Sequence, residues 1–509
     1  MKYVKNIGII CVWIALWAVA AWAIGSPVIL ASPLETAEAL VAAVSTPTFW
    51  LAIGGTLWHV GAGLVAACLL GCVMGILAAR WRAFDAFINP AMHFVKSAPI
   101  VCFIVLMLVW FGSTYVDFAA VVLAVLPVYF FSMYEAYQQR DAKLVAMLRV
   151  FRVPFARRMR LFEWPSVRPF FTQSTKIAVG MSWKSGVTAE LIGLTFSSIG
   201  EQIYLGKLTL DTAGLLMWTF VIVVLGWACE KAILALVARI GAGDMHALDV
   251  RAENGGVSAP AMVDVQARGI DKSFGDLRVL REFSYDFKAG SRTCLMAPTG
   301  TGKTTLLNVL LGIEKPDAGS IEASLPVANV ANVTNAAGAA DVADATSAAD
   351  APPAADAADA TPAANVKSAV AVKSAAFIPR EKALAYSVVF QEARLLGEVS
   401  SVQNVSLIAP TSPERAATLL TSLLDESALD ALPAELSGGM KRCVEICRAL
   451  AAPSNCVIMD EPFAGLDDAT KQRAIALIER ELAGRTLILV THDRADAEVL
   501  GCDVVAVGE

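Results

Sequence analysis

The sequence has few histidines, few charged residues and no cysteine pair with C-x-x-C spacing. Only four of the 509 residues are histidine, so a histidine-rich metal site is not expected. None of the ten cysteines has the C-x-x-C spacing of a zinc site, which indicates free, mostly buried thiols in a reducing compartment. A formal net charge of −6 gives no support for binding to nucleic acid.

Apolar residues dominate instead, and they are unevenly distributed. Hydrophobic residues make up 56% of the chain and the mean hydropathy is +0.58, which is high for a soluble protein. The excess lies before residue 242. Residues 1–250 contain 18 basic and 13 acidic residues, whereas the remainder contains 23 basic and 34 acidic ones. This contrast predicts a membrane domain followed by an acidic soluble domain.

The apolar residues form segments that are long enough to cross a bilayer, which requires about 20 residues per helix. The first segment follows Lys2 and Lys5 and lacks a convincing signal-peptide cleavage site, so we interpret it as a retained helix. We therefore predict an all-α domain of six transmembrane helices within residues 1–241. The six helices are predicted over residues 7–25, 52–79, 92–112, 115–137, 169–194 and 213–238.

Basic residues in the loops predict the orientation of this domain. Residues 26–57 contain no lysine or arginine, whereas the segment between the fourth and fifth predicted helices contains eight basic residues. Loops rich in lysine and arginine stay on the cytoplasmic side of a membrane. Both ends of the domain are therefore expected to face the cytoplasm, with the protein in the inner (plasma) membrane.

A glycine-rich loop in the C-terminal half points to phosphate binding. It reads Gly300-Thr301-Gly302-Lys303-Thr304-Thr305 and follows a predicted strand, Thr293–Met296. Backbone N–H groups of such a loop surround a phosphate at a helix N-terminus. The lysine adds a positive charge, and the Thr304 hydroxyl is a ligand for Mg²⁺.

Two further motifs lie downstream of this loop. Leu436-Ser437-Gly438-Gly439 is by itself a weak, turn-like string. The predicted strand Cys456–Met459 ends in two carboxylates. Asp460 is the candidate metal ligand, and Glu461 is the candidate general base that polarises an attacking water. A third predicted strand, Thr486–Val490, leads to His492.

In this order the three motifs resemble the nucleotide-binding domain of an ABC transporter, an α/β P-loop ATPase. The resemblance implies ATP and Mg²⁺ as cofactors, with Phe274 stacked on adenine, Gln391 sensing Mg²⁺ and water, and His492 on the γ-phosphate. One departure is Ala297, which replaces the usual first glycine of the loop. The implied catalytic residues are Glu461, His492, Gln391 and Lys303, and the implied Mg²⁺ ligands are Thr304, Gln391 and Asp460. The implied nucleotide-binding residues are Phe274, Pro298, Thr299, Gly300, Thr301, Gly302, Lys303, Thr304, Thr305, Gln391, Asp460, Ser437, Gly438 and Gly439.

The segment Asp141–Pro165 resembles the cytoplasmic coupling segment of ABC importer permeases. Arg149 and Phe151 fit that pattern, but Arg152 occupies its usual glycine position. The alternative interpretation is a basic cytoplasmic loop with no coupling role.

Other parts of the membrane domain resemble permeases of the nitrate/sulfonate/taurine type. These parts are Ser32–Leu40, Met181–Gly193 and Ser197–Thr219. Lys184 and Glu190 lie inside the fifth predicted helix, where a charge is costly. They line a translocation path or form a structural pair, and both alternatives stay open.

The predicted organisation is therefore a permease domain (1–241), a linker (242–262) and an ABC ATPase domain (263–509). An insertion is predicted inside the ATPase domain at about 323–376. From Ala323 to Asn365, 19 of 43 residues are alanine, five are aspartate and none is aromatic or basic. Such a composition buries too little apolar area to fold, so we predict disorder there.

The family resemblance implies an ATP-hydrolysing importer of a small anionic solute, fed by a separate extracytoplasmic substrate-binding protein. One chain has one phosphate loop and one Leu-Ser-Gly-Gly string, and in this family the string of one subunit closes the ATP site of the other. A second copy is therefore the expected partner, besides ATP and the lipid bilayer. The alternatives are an ABC half-exporter and an ATP-dependent regulator that transports nothing.

Overall fold

The computed structural model describes residues 2–241, 262–296, 301–324 and 384–506. Contacts divide the chain into two compact units. The helical unit comprises Met1–Arg140 and Glu163–Met245, and the sheet unit comprises Asp141–Phe162 and His246–Glu509. The predicted linker, apart from residue 262, and the predicted insertion, apart from residues 323–324, lie outside the described residues.

The helical unit contains α-helices and no strand among its described residues, as the sequence predicts. Helix α2 shows how local sequence sets a boundary, because Ser32 and Glu35 form a reciprocal capping box and Pro33 occupies the first helical position. The helices are α1 (Lys2–Ile24), α2 (Pro33–Val44), α3 (Pro47–Arg80), α4 (Arg82–Ser97), α5 (Ile100–Phe111), α6 (Val116–Gln138), α9 (Trp164–Gly193), α10 (Ile199–Thr209) and α11 (Thr212–Gly241).

Fewer of these helices are long and apolar than the six predicted. Among the described residues three qualify as membrane spans, Pro47–Arg80, Val116–Gln138 and Thr212–Arg239. A fourth arises if the bent pair α4 and α5 is counted as one span. In α1 the described apolar stretch, Cys11–Ile24, is too short to qualify, and α9 is helical but is not among the apolar spans.

The single helix predicted over residues 92–112 is wrong. The helical conformation is interrupted between α4 and α5, and the axes of these two helices differ by 106°. The cause lies in Ala98 and Pro99: a residue before proline avoids the helical region, and Ala98 has an extended backbone with ψ of 141°.

Glycines allow α3, α6 and α9 to pack closely. A Cβ on Gly75 would lie 2.5 Å from the carbonyl oxygen of Phe130, and one on Gly71 would lie 2.8 Å from that of Leu126. On α9, a Cβ on Gly186 would lie 2.5 Å from a methyl carbon of Val60. Small residues at such contacts are typical of helices that associate in a membrane.

Two buried carboxylates contact residues in the first half of α3 and join it to other helices. Glu190 is fully buried and accepts hydrogen bonds from the Thr56 hydroxyl and the Gly200 backbone N–H, each at 3.0 Å. Asp117 is also fully buried, and its carboxylate lies 2.8 Å from Nδ1 of His59. Each carboxylate therefore connects different helices of the unit.

The sheet unit contains two sheets. A three-stranded antiparallel sheet has the order β2-β1-β4, and a five-stranded parallel sheet has the order β5-β6-β7-β3-β8. The strands are β1 (Asp264–Phe274), β2 (Leu277–Phe287), β3 (Arg292–Met296), β4 (Ala318–Ser324), β5 (Tyr386–Val389), β6 (Cys456–Asp460), β7 (Thr486–Val490) and β8 (Asp503–Ala506).

The three strands predicted around the phosphate motifs are confirmed as β3, β6 and β7, which are neighbours in the parallel sheet. The predicted start of the insertion is wrong by two residues, because Ala323 and Ser324 belong to β4 and pair with β1. The helices of this unit are α7 (Ala142–Val150), α8 (Phe155–Arg158), α12 (Lys303–Leu311), α13 (Ser401–Ser406), α14 (Pro413–Thr421), α15 (Gly438–Ala451), α16 (Asp468–Leu482) and α17 (Arg494–Val499).

Candidate nucleotide-binding site

The glycine-rich loop lies between the end of β3 and the start of α12. Gly302 precedes the helix with φ of +89°, a left-handed conformation that glycine adopts without strain. A Cβ at this position would lie 2.6 Å from a methyl carbon of Val279. The position therefore requires glycine for both space and backbone angle. Pro298, Thr299 and Gly300, together with Ala297, lie outside the described residues.

One cavity of about 380 Å³ collects half of the predicted nucleotide-binding residues, together with the predicted catalytic residues Glu461 and His492. Neighbouring parallel strands end at the same edge of the sheet, so β3, β6 and β7 deliver their following residues to one place. Val279 of β2 also lines the cavity and was not predicted, because no motif marks it. The predicted residues that line it are Phe274, Gly302, Lys303, Thr304, Thr305, Gln391, Asp460, Glu461 and His492.

Three charged or ionisable side chains meet inside this cavity. The Lys303 ammonium lies 3.1 Å from the His492 ring, and Nε2 of His492 lies 2.9 Å from Oε1 of Glu461. Glu461 has φ of +48°, and its N–H donates to the carbonyl of Val490 at 2.8 Å. A left-handed backbone in a residue other than glycine is strained, and such strain is often found at functional sites.

Asp460 is the most buried acid of the cavity, with 5% of its surface exposed. Burial raises the pKa of this carboxyl to about 6, and the negative charge of Glu461 contributes, while Lys303 opposes the shift. The carboxylate is therefore destabilised until a cation approaches it.

Asp460, Thr304 and Gln391 also line a smaller adjoining cavity of about 180 Å³. A carboxylate, a hydroxyl and an amide oxygen are the kinds of ligand that Mg²⁺ prefers. Among the described residues, no group of three histidine, cysteine or acidic side chains offers a metal site of its own. The residues present thus fit a Mg²⁺ ion that shares its ligands with a nucleotide.

Ser437, Gly438 and Gly439 lie elsewhere. Ser437 caps the N-terminus of α15, and its hydroxyl accepts the N–H of Met440 at 3.2 Å. These three residues line a separate cavity of about 710 Å³ together with Gly465, Leu466 and Asp467. Within one chain, the cavity that contains Lys303 and the cavity that contains Ser437 share none of their lining residues.

The chain matches two protein families and several known proteins in sequence. The family described as "ABC transporter" matches residues 280–346 and 369–464, and the "Binding-protein-dependent transport system inner membrane component" family matches residues 67–240. The Nod factor export ATP-binding protein I of Mesorhizobium japonicum is 30% identical over 290 residues, which cover 54% of this chain and 72% of that protein. The chain belongs to the ABC transporter family.

For other relatives, the matched region is a smaller share of the relative's length. The Fe(3+) ions import ATP-binding protein FbpC 1 of Rhodococcus jostii is 32% identical over 239 residues, which cover 46% of this chain. The chain thus spans only 56% of the length of that relative. A solved structure, the dimeric MJ0796 ABC transporter cassette, is 23% identical, covers 48% of this chain and 95% of its own chain, and has a TM-score of 0.34.

The ABC transporter therefore combines a permease-type helical unit with an ATP-binding cassette. The helical unit is apolar and belongs to a membrane protein. The sheet unit has the cassette's motifs at the edge of a parallel sheet, as the sequence predicts.

The predicted coupling segment packs within the sheet unit of this ABC transporter up to Phe162. Lys143 forms an ion pair with Glu392, next to Gln391. Arg152 donates to the carbonyl of Leu384, which precedes β5. These contacts attach the segment to other residues of the sheet unit.

Arg152 has φ of +50°, which lies in the left-handed region. This backbone explains why glycine is the usual residue at the position, as the family resemblance states. Arginine is strained there, and its bond to Leu384 offsets part of that strain.

Sequence reasoning also missed three charged residues of α15, namely Arg442, Glu445 and Arg448. All three are buried, and each arginine forms an ion pair with Glu445. The available signal was three charges at spacings of three within one helix.

Proposed function

We propose that the protein is an ATP-driven importer that acts as a homodimer in the inner membrane, with its ATPase domain in the cytoplasm. The observation that supports this most strongly is the shared cavity of Lys303, Asp460, Glu461 and His492. It combines a cation for phosphates, oxygen ligands for Mg²⁺ and a carboxylate next to a histidine. These are the groups that hydrolysis of a nucleoside triphosphate requires.

In this proposal Lys303 and the loop N–H groups bind the phosphates, and Phe274, half exposed at the cavity edge, stacks on the base. Thr304, Gln391 and Asp460 would hold Mg²⁺, which would neutralise negative charge on the phosphates. Glu461 accepts a proton from the attacking water, and His492 orients Glu461 through their contact.

Two copies are needed because Ser437, Gly438 and Gly439 line a cavity apart from the Lys303 cavity. An isologous dimer would place the Ser437 turn of each copy over the nucleotide of the other. Binding of ATP would then close the dimer, and hydrolysis would reopen it.

Import is supported by the family description of the helical unit, which refers to binding-protein-dependent transport, and by the coupling segment. The expected partner is an extracytoplasmic substrate-binding protein. The expected substrate is a small anion, since the segments around Lys184 resemble permeases of the nitrate/sulfonate/taurine type. Lys184 is exposed on α9 whereas Glu190 is buried, which supports Lys184 over Glu190 as a contact for the solute.

Export is the second candidate, because relatives named for import and for export both match the chain. The two are separated by what stimulates the purified protein in lipid. A binding protein with its solute should raise ATP hydrolysis in an importer. Stimulation by apolar compounds alone, with no response to any binding protein, would favour export.

The decisive variant for hydrolysis is Lys303→Ala. Loss of the charge at the phosphates should reduce ATP hydrolysis by at least about 100-fold. Lys288→Ala removes an exposed lysine of the same unit and should leave the rate unchanged. Equal rates in Lys303→Ala and the parent protein would refute the proposed phosphate site.

A further inference from the structure

Helix α15 contains a buried triad of charged residues, Arg442, Glu445 and Arg448. Their exposed fractions are 6%, 0% and 0%. Taking a charge out of water costs several kcal/mol, and a buried ion pair seldom adds stability over an apolar alternative. The triad is therefore poorly explained as a simple contribution to the core.

Glu445 links the two arginines. Its Oε2 lies 3.0 Å from Nη1 of Arg442, and its Oε1 lies 3.1 Å from Nη2 of Arg448. The spacings of three residues place all three side chains on neighbouring positions of the helix surface. The carboxylate is thus the centre of the triad.

The triad also holds the backbone of the loop that follows β5. Oε1 of Glu445 accepts the N–H of Arg394 at 2.9 Å, and Arg448 donates to the carbonyl of Arg394 at 2.7 Å. Arg442 donates to the carbonyl of Gln391. Both ends of the segment from residue 391 to residue 394 are therefore attached to α15.

The coupling segment reaches the same triad. The guanidinium of Arg448 lies 5.2 Å from the centre of the Phe151 ring, within the range of a cation–π contact. Arg394 Nη1 also donates to the carbonyl of Lys143 at 3.4 Å.

Helix α15 consequently joins two places that serve different nucleotides in the proposed dimer. Its first residues, Gly438 and Gly439, belong to the turn that would cover the partner's ATP. Gln391 lines the cavity for the chain's own ATP. A rigid helix that is attached both to the Ser437 turn and to the loop containing Gln391 can transmit a displacement from one nucleotide site to the other.

We propose that Glu445 is a positioning residue that makes the two nucleotide sites of the dimer cooperative. Through Arg442 and Arg448 it fixes Gln391 relative to the Ser437 turn. Closure over one ATP would then align Gln391 in the other site. This inference rests on the homodimeric ATPase proposed above.

The test is the ATP dependence of hydrolysis by the full chain in lipid. The parent protein should show a Hill coefficient above 1. Glu445→Gln keeps the shape of the side chain but loses its charge, so the Hill coefficient should fall to about 1 and kcat by about 10-fold, with the KM of the remaining activity little changed. A residue that only stabilised the fold would lower the Tm and leave the Hill coefficient unchanged.

A matched control removes another ion pair of the same unit. Glu481→Gln breaks the Arg415–Glu481 pair of α14 and α16, away from Gln391, and should preserve cooperativity. If Glu445→Gln fails to fold, the apolar replacement Arg442→Met/Glu445→Leu/Arg448→Met removes the same links without leaving an unpaired charge. That variant should also hydrolyse ATP without cooperativity.

The outcomes separate this inference from the proposed function. A parent protein that hydrolyses no ATP would refute the function, and the inference with it. An active parent with a Hill coefficient of 1, or a Glu445→Gln variant as cooperative as the Glu481→Gln control, would overturn the role of Glu445 alone.

Discussion

The two units of this protein bury their charges in different ways. In the sheet unit, Asp460 and Lys303 lie against an open cavity, and burial makes the charged form of Asp460 unfavourable. In the helical unit, Glu190 and Asp117 lie inside the protein and are bonded to neighbouring helices. An acid beside open space is accessible to a ligand, whereas Glu190 and Asp117 each contact a neighbouring helix of their unit.

The largest expected effect concerns the general base of the open cavity. Glu461→Gln should lower ATP hydrolysis by at least about 100-fold while nucleotide binding persists, since the amide cannot accept the water proton. Hydrolysis and retention of labelled ATP measure the two properties separately. Glu479→Gln, on the exposed side of α16, is the control and should leave both unchanged. Rapid turnover by Glu461→Gln would remove Glu461 as the base.

The second prediction concerns the stability of the sheet unit without nucleotide or Mg²⁺. The pKa of Asp460 is raised to about 6 by burial, so at pH 7.5 its charge destabilises the folded state. Asp460→Asn should therefore increase the free energy of unfolding by up to about 3 kcal/mol, at about 1.4 kcal/mol per pKa unit. The same change should abolish Mg²⁺-dependent ATP binding.

The size of this effect depends on pH. Because the folded protein holds the proton more tightly than the unfolded chain, the parent protein gains stability as the pH falls through about 6. The advantage of Asp460→Asn should shrink over that range. An advantage that is the same at pH 7.5 and pH 4.5 would contradict the assigned cause.

The third prediction concerns Glu190, a buried acid of the helical unit. Glu190→Leu removes the acceptor of the Thr56 hydroxyl and the Gly200 N–H, which should cost about 2 kcal/mol and lower the Tm in detergent. Glu190→Gln retains an acceptor and should lose less. Lys184→Gln, on an exposed face of the same helix, should leave the Tm unchanged. A Tm that falls for Lys184→Gln and not for Glu190→Leu would reverse the contrast between the units.

The sequence predicted a candidate phosphate site, because phosphate chemistry requires particular groups at particular spacings. Lys303, Asp460, Glu461 and His492 meet in one cavity as their strands imply. Val279 was missed, since it contributes only by adjacency in space. The Arg442–Glu445–Arg448 triad was missed because its partners, Gln391 and Arg394, are about 50 residues away in sequence.

The helical unit was predicted less well for a different reason. Hydropathy identifies apolar segments but does not measure backbone geometry, so residues 92–112 were predicted as one helix. The break at Pro99 follows from the steric rule for the residue before proline, a rule that a hydropathy count ignores.

The smallest expected effect concerns the contact of the coupling segment with the sheet unit. Arg152 has a left-handed backbone and donates a hydrogen bond to the carbonyl of Leu384. Two substitutions separate the effects of these two features on stability. Arg152→Ala loses the bond and keeps the strain, whereas Arg152→Gly loses the bond and relieves the strain, so the glycine variant should be more stable by about 1–2 kcal/mol. At Arg157, which lies in α8 and donates to Leu407, the order should reverse, because alanine favours a helix over glycine by about 1 kcal/mol. Thermal unfolding of the four variants measures both differences, and the same order at both positions would show that Arg152 is not strained.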